Sequence, residues 1–255
     1  MTGGRVVAVL GASQGIGRAI AARSVADGDR VVMVARTAPV LAGARAAIDP
    51  GGRRSVTIAC DIEQADAPEL VVAEARRSFG EAPSIVVHSA GSFIAGRLGE
   101  LGDGELAELF QRNVVRTMSV VRRLMERRPG AHGHVVVVNS TAGLQLHPTN
   151  PVYSATMIAL RSMTDALRNE LNPHGVRVTS VFSGRCDTPM LREVLRHEGA
   201  AFDPSLALRP SDVAAAVAAA LAVGDRAEIT EIVVRPMRSA TATATAWPAS
   251  SPQRL

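Results

Sequence analysis

The chain has 255 residues, 47% of them hydrophobic, which suffices to bury a sizeable core and fits one α/β domain. All 28 basic positions behind the net charge of +4 are arginine; they are dispersed and aromatics make up 3%, so the stacking platforms of a nucleic-acid binder are missing. Two cysteines, Cys60 and Cys186, are too few for a disulfide framework and lack metal-ligand spacing, so neither a metal site nor an oxidising compartment is expected.

Short β-branched runs alternate with longer Ala-rich amphipathic stretches, the signature of parallel strands joined by helices. The first run, Val6 to Leu10, is too short for a signal peptide. No stretch approaches the roughly 20 apolar residues that span a bilayer, so a soluble, cytoplasmic protein without membrane contact is expected. Next comes Gly11-Ala12-Ser13-Gln14-Gly15-Ile16-Gly17, and then a helix predicted over Ile16 to Ala26. A helix amino terminus offers unpaired N–H groups and a positive dipole end, and glycines let a pyrophosphate approach the backbone. By itself such a cluster could be only a tight turn. Arg36, closing the second strand (Val31 to Ala35), strengthens the cofactor reading: no acid stands there to hold a ribose 2′-hydroxyl, and one cation stands ready for the 2′-phosphate of NADP.

Further strands are predicted at Val56 to Cys60, Ile85 to His88, Val135 to Asn139, Val176 to Phe182 and Ile229 to Val234. Nearly all-apolar strands imply a sheet covered on both faces. Three-and-four spacing predicts helices over Ala65 to Phe79, Glu105 to Arg127, Val152 to Leu171 and Ser211 to Val223. Arg112 to Arg128 reads as the solvated face of the second of these. His132 and His134, among glycines before the fifth strand, read as a turn. From Ser239 the alternation of Ala and Thr has no period a core could use. The domain is therefore expected over 1–238 and a disordered tail, holding the lone Trp247, over 239–255.

Ser140 follows the fifth strand and Tyr153, the only tyrosine, comes thirteen residues later. A phenol exchanges protons well near neutral pH only if its pKa of about 10 is lowered, usually by a cation. Met157 occupies the position four residues on, where hydride-transfer chemistry wants a lysine.

Taken together these motifs resemble the short-chain dehydrogenase/reductase family in its shorter one-domain form, over residues 5 to 236. The Gly-x3-Gly-x-Gly spacing of Gly11, Gly15 and Gly17 is that family's. The resemblance implies a Rossmann-type doubly wound sheet of about seven parallel strands with helices on both faces, and an NADP(H) cofactor. It implies that Ser13, Gln14 and Ile16 complete the cofactor turn and that Asp61-Ile62 hold the adenine. Ser89-Ala90-Gly91 stand where the family has Asn-Ala-Gly, and Ser183-Gly184 with Thr188-Pro189 flank the nicotinamide. Asn113 would bend its helix and hold a water of the proton relay. Ser140 would polarise a substrate carbonyl, and Tyr153 would pass it a proton beside the nicotinamide.

Two departures set the remaining expectations. Ser89 for asparagine reduces hydrogen-bonding capacity near the cofactor. Met157 for lysine removes both a hold on the nicotinamide ribose and the charge beside the phenol, which damages alcohol oxidation more than carbonyl reduction. Arg185, and after it His147, are candidates to supply the missing cation. Phe93, Leu144 and Leu146 suggest an apolar pocket for a small-molecule carbonyl. Three readings stay open: an NADPH-dependent ketone reductase, a non-redox cyclase or dehydratase on the same fold, and a silenced NADP-binding protein. A homo-oligomer, dimer or tetramer, is implied by the resemblance.

Overall fold

The computed structural model describes residues 4–127, 132–147, 149–224 and 226–238, so the expected tail and Trp247 lie outside the described residues. The strands are β1 (Val6–Leu10), β2 (Arg30–Ala35), β3 (Ser55–Ala59), β4 (Ile85–His88), β5 (Gly133–Ser140), β6 (Val176–Ser183) and β7 (Glu231–Val234). They form one seven-stranded sheet in the order β3-β2-β1-β4-β5-β6-β7, with every neighbour parallel. The helices are α1 (Gly15–Ala26), α2 (Ala38–Ile48), α3 (Ala67–Phe79), α4 (Asp103–Phe110), α5 (Thr117–Met125), α6 (Pro151–Leu171), α7 (Pro189–His197) and α8 (Pro210–Ala222).

Parallel strands buried on both faces need apolar residues at successive positions, and β1 supplies five. Val6, Ala8 and Leu10 pack with residues of α3, α5 and α6, while Val7 and Val9 pack with α1, α2 and α8. This is the doubly wound architecture that the sequence implied. Chain order reverses between β1, which pairs with β2 on one side, and β4 on the other. At such a switch point the crossovers diverge and leave a crevice over the carboxyl ends of the strands. No described helix is long and apolar enough to cross a membrane.

Several elements differ from expectation. The helix expected over Glu105 to Arg127 starts at a capping box, where Glu105 accepts from the Gly102 N–H at 2.9 Å, but it is interrupted by a π-helical segment, Gln111–Arg116. Thr117 Oγ1 donates to the Arg112 carbonyl at 3.2 Å, and Asn113 is drawn sideways into the contacts described below. Side chains competing for main-chain groups are a common cause of such breaks. α2 and α7 were not expected: α2 buries only Leu41 and Ala44, too faint a stripe to register. His134 lies inside β5 rather than in a turn, because Thr179 on β6 offers its imidazole a hydrogen bond at 2.8 Å.

Candidate active site

The first contact between sequence and chemistry is the turn from β1 into α1. Gly11 and Gly15 have φ of 86° and 55°, which side chains rarely adopt, and a Cβ on Gly15 would lie 3.0 Å from the Thr188 methyl. Gln14 caps α1 without a side-chain hydrogen bond and the first turn holds no acid, so its N–H groups stay available to an anion. Gly17 plays a different part. It does not line the cleft; a Cβ there would sit 2.2 Å from the Gly11 carbonyl oxygen, so its bareness lets α1 close against the turn.

That contact gives a paired test. Gly17→Ala is expected to cost about 2–3 kcal/mol and to weaken dinucleotide binding, because the backbone must move. Gly43→Ala, on the exposed face of α2 with nothing within 4 Å of the new Cβ, is expected to stabilise by about 0.5–1 kcal/mol. Thermal melts of both variants decide the matter, and equal shifts would show that the turn tolerates a side chain.

Over the strand ends runs one cleft of about 950 Å³. Its walls take in Gly11, Ser13, Gln14, Gly15 and Ile16 after β1, Arg36 after β2, Asp61 and Ile62 after β3, and Ser89, Ala90 and Gly91 after β4. Phe93, Asn113, Ser140, His147, Tyr153, Met157, Ser183, Gly184, Arg185 and Thr188 line it as well. Leu144 does not: it closes the 3-10 turn Thr141–Gly143, its N–H donating to the Thr141 carbonyl at 3.0 Å, and that turn directs it outward. Leu146 is 60% exposed and lies off the cleft too.

Ser140 and Tyr153 meet across this space. The Ser140 hydroxyl accepts from the Ala142 N–H at 3.1 Å and lies near enough to the Tyr153 phenol to influence its ionisation. Phe93 packs edge-on against the tyrosine ring, centroids 5.3 Å apart. Burial pushes the Tyr153 pKa up, and the Ser140 hydroxyl only partly offsets it. Asn113, 1% exposed, accepts from the Ser92 N–H at 2.8 Å and donates to the Ser92 carbonyl at 3.0 Å and to Thr156 Oγ1 at 3.1 Å. Thr156 donates in turn to the Tyr153 carbonyl at 2.8 Å, so the π-helical segment is tied to the backbone of the tyrosine. Asn113 thus lies within the π-helical segment, and its side chain is engaged by Ser92 and Thr156.

A family model for short chain dehydrogenases matches residues 5–199. The chain belongs to the short-chain dehydrogenase family. An uncharacterised short-chain type dehydrogenase/reductase of Sinorhizobium fredii is 31% identical over 239 residues, 91% of each chain. Among solved structures, a single-substitution variant of actinorhodin polyketide ketoreductase with NADPH superposes with a TM-score of 0.82 at 25% identity, covering 91% of this chain and 96% of that one. An alcohol dehydrogenase from Thermococcus sibiricus complexed with 5-hydroxy-NADP gives 0.78 at 25% identity, with 91% and 97% covered.

In this short-chain dehydrogenase both proposed substitute cations are engaged by other side chains. Arg185 Nη2 is held by both carboxylate oxygens of Glu198 at 2.9 and 2.8 Å, and His147 Nδ1 faces Thr149 Oγ1 at 3.0 Å. No charge contributes to the Tyr153 shift. Met157 is 5% exposed and packs in the cluster with Leu160. Sequence reasoning missed Asn139, whose side chain donates to the Met157 carbonyl at 3.0 Å and accepts from the Ser140 N–H at 2.6 Å, thereby fixing the serine against α6. A polar residue ending a run of four valines was the available signal. The Arg112 and Arg116 ion pairs with Glu63 on the cleft wall also had no sequence signal, since their partners are some fifty residues apart.

Proposed function

We propose that this chain is an NADPH-dependent oxidoreductase that reduces a ketone or similar carbonyl of a small organic molecule. The observation that carries the reading is the Ser140 hydroxyl set beside the Tyr153 phenol in a cleft whose far end holds Arg36, a cation without an ion-pair partner among the described residues. The glycine turn fits a pyrophosphate, Asp61 and Ile62 an adenine, and Arg36 a 2′-phosphate. Ser89, Ala90, Gly91, Ser183, Gly184 and Thr188 would flank the nicotinamide end. When bound, NADPH supplies hydride. Ser140 would donate a hydrogen bond to the carbonyl oxygen while Tyr153 passes it the phenolic proton. A phenol kept protonated by burial is competent as that acid and poor as the base that alcohol oxidation needs, so reduction is the favoured direction.

A cytoplasmic homo-oligomer belongs to the same reading, with copies meeting on α4, the π-helical segment, α5 and α6, where Phe110, Val115, Ile158 and Met163 are exposed. The uncharged Met157 favours a second reading, in which Ser140 and Tyr153 polarise an oxygen for cyclisation or dehydration without redox chemistry. NADPH consumption over a carbonyl panel separates the two. Tyr153→Phe is expected to lower reduction about 100-fold or more. Arg36→Ala is expected to raise the Kd for NADPH about tenfold and to spare NADH. Substrate conversion without cofactor oxidation would sink the reductase reading.

A further inference from the structure

Most guanidinium groups on the cleft wall already have a counter-charge. Arg112 and Arg116 pair with Glu63, Arg112 also with Glu108, and Arg185 with Glu198. Arg238 lies in the field of Asp203, whose carboxylate is engaged first by the Ser205 hydroxyl and N–H. Arg36 and Arg235 line the cleft with no hydrogen-bond or ion-pair partner among the described residues. The strand order puts them at opposite ends. Arg36 directly follows β2 and Arg235 directly follows β7, five strand spacings apart, or about 24 Å at the usual separation. A cofactor phosphate read by Arg36 leaves Arg235 unaccounted for.

The main chain at Arg235 is firmly seated. Gly184 donates its N–H to the Val234 carbonyl at 2.8 Å, and a Cβ on Gly184 would meet Pro236 Cδ at 3.0 Å and Arg235 Cα at 3.4 Å. Arg235 therefore rises from the wall beside Ser183 and Gly184. Ser140 ends β5, two strands away, so the strand ends are about 10 Å apart, and the length of an arginine side chain closes part of that gap. An anionic group a few bonds from a carbonyl held at Ser140 and Tyr153 falls within reach of the guanidinium, which offers a planar fork to carboxylate or phosphate oxygens.

We propose that Arg235 is a specificity-determining residue that receives the anionic group, carboxylate or phosphate, of a carbonyl substrate bound at Ser140 and Tyr153. The inference rests on the carbonyl-reduction reading, and its test is made by binding so that the two stand or fall separately. Calorimetry on protein saturated with NADP⁺, which has no hydride to transfer, compares levulinate with methyl levulinate, and dihydroxyacetone phosphate with dihydroxyacetone, for the wild type, Arg235→Ala and Arg235→Lys, and NADPH oxidation is followed in a parallel assay. A charged ligand is expected to bind about tenfold or more tightly than its neutral counterpart. That ratio should fall to about one in Arg235→Ala, recover in part in Arg235→Lys, and shrink with added salt. The pair with the larger ratio identifies carboxylate or phosphate as the native charge. Equal binding of charged and neutral ligands, or a ratio that survives Arg235→Ala, overturns the proposal. Discrimination by charge without NADPH oxidation would leave the anion site standing and remove the reductase reading alone.

Discussion

Met157→Lys is expected to raise kcat/KM for NADPH-dependent ketone reduction at least about tenfold and to lower the pH at which Tyr153 loses its proton, since a cation within hydrogen-bonding range shifts such a group by about 1–3 units. The backbone at residue 157 is fixed by main-chain contacts that the side chain does not make. Asn139 Nδ2 donates to its carbonyl at 3.0 Å, and Gly143 packs so closely that a Cβ there would stand 2.8 Å from the same oxygen. A lysine would thus leave α6 in place and extend into the cleft that Met157 already lines. The cost is desolvation of an ammonium stem at a position now 5% exposed, about 1–2 kcal/mol of stability. Met157→Leu keeps the site neutral and is expected to change the rate less than threefold. Alcohol oxidation should gain more than reduction, because the wild-type phenol is held in its acid form by burial. Rates and NADPH affinity unchanged in the lysine variant would show that charge at this position has no bearing on the chemistry, and a fall in native activity would show a site adapted to an uncharged neighbour.

That the lysine's absence was legible in the sequence while its consequence was not follows from how each is encoded. The glycine turn, the strands and the serine–tyrosine spacing are local patterns, and Gly11, Gly15, Ser140 and Tyr153 all reach one cleft because a parallel sheet delivers every strand's carboxyl end to the same edge. Arg185 looked like a substitute cation because it follows Ser183 and Gly184. Whether it is free depends on Glu198, thirteen residues on at the end of an unexpected helix, α7. That helix did have a signal: Thr188 caps it by accepting from the Leu191 N–H at 3.3 Å, Pro189 opens it, and Leu191 and Leu195 share its buried face. Leu144 failed as a pocket residue for a similar reason. Its direction is set by the short turn after Ser140, which has no hydrophobic period to read.

Acid is expected to unfold this chain from within its sheet, well above the pH at which carboxylates titrate. His88 on β4 and His134 on β5 are 2% and 1% exposed, and the Nδ1 of each has no partner among the described residues. Thr179 spends its proton on the Ile229 carbonyl at 2.7 Å, so at 2.8 Å it accepts from His134 Nε2, and a second proton on the ring would go to the orphaned Nδ1. Burial lowers the His88 pKa to about 4; burial, then the charges of Arg177 and Arg5, lower that of His134 to about 3. The unfolded chain takes up these protons near pH 6.5 and the folded chain does not, so stability falls with pH through that window and levels off below the folded values. The full penalty is on the order of 3 kcal/mol for His88 and 5 kcal/mol for His134, against a total of about 5–15 kcal/mol for a typical domain. Urea midpoints should accordingly drop steeply between pH 7 and pH 4.5. His134→Gln, which can keep one hydrogen bond to Thr179 without an ionisable ring, should flatten that slope even if it lowers stability at pH 7, and the double variant with His88→Asn should flatten it further. A wild-type stability independent of pH across the window would mean that these rings take up protons alike in the folded and unfolded states, and an undiminished slope in the double variant would mean that the protons are taken up elsewhere.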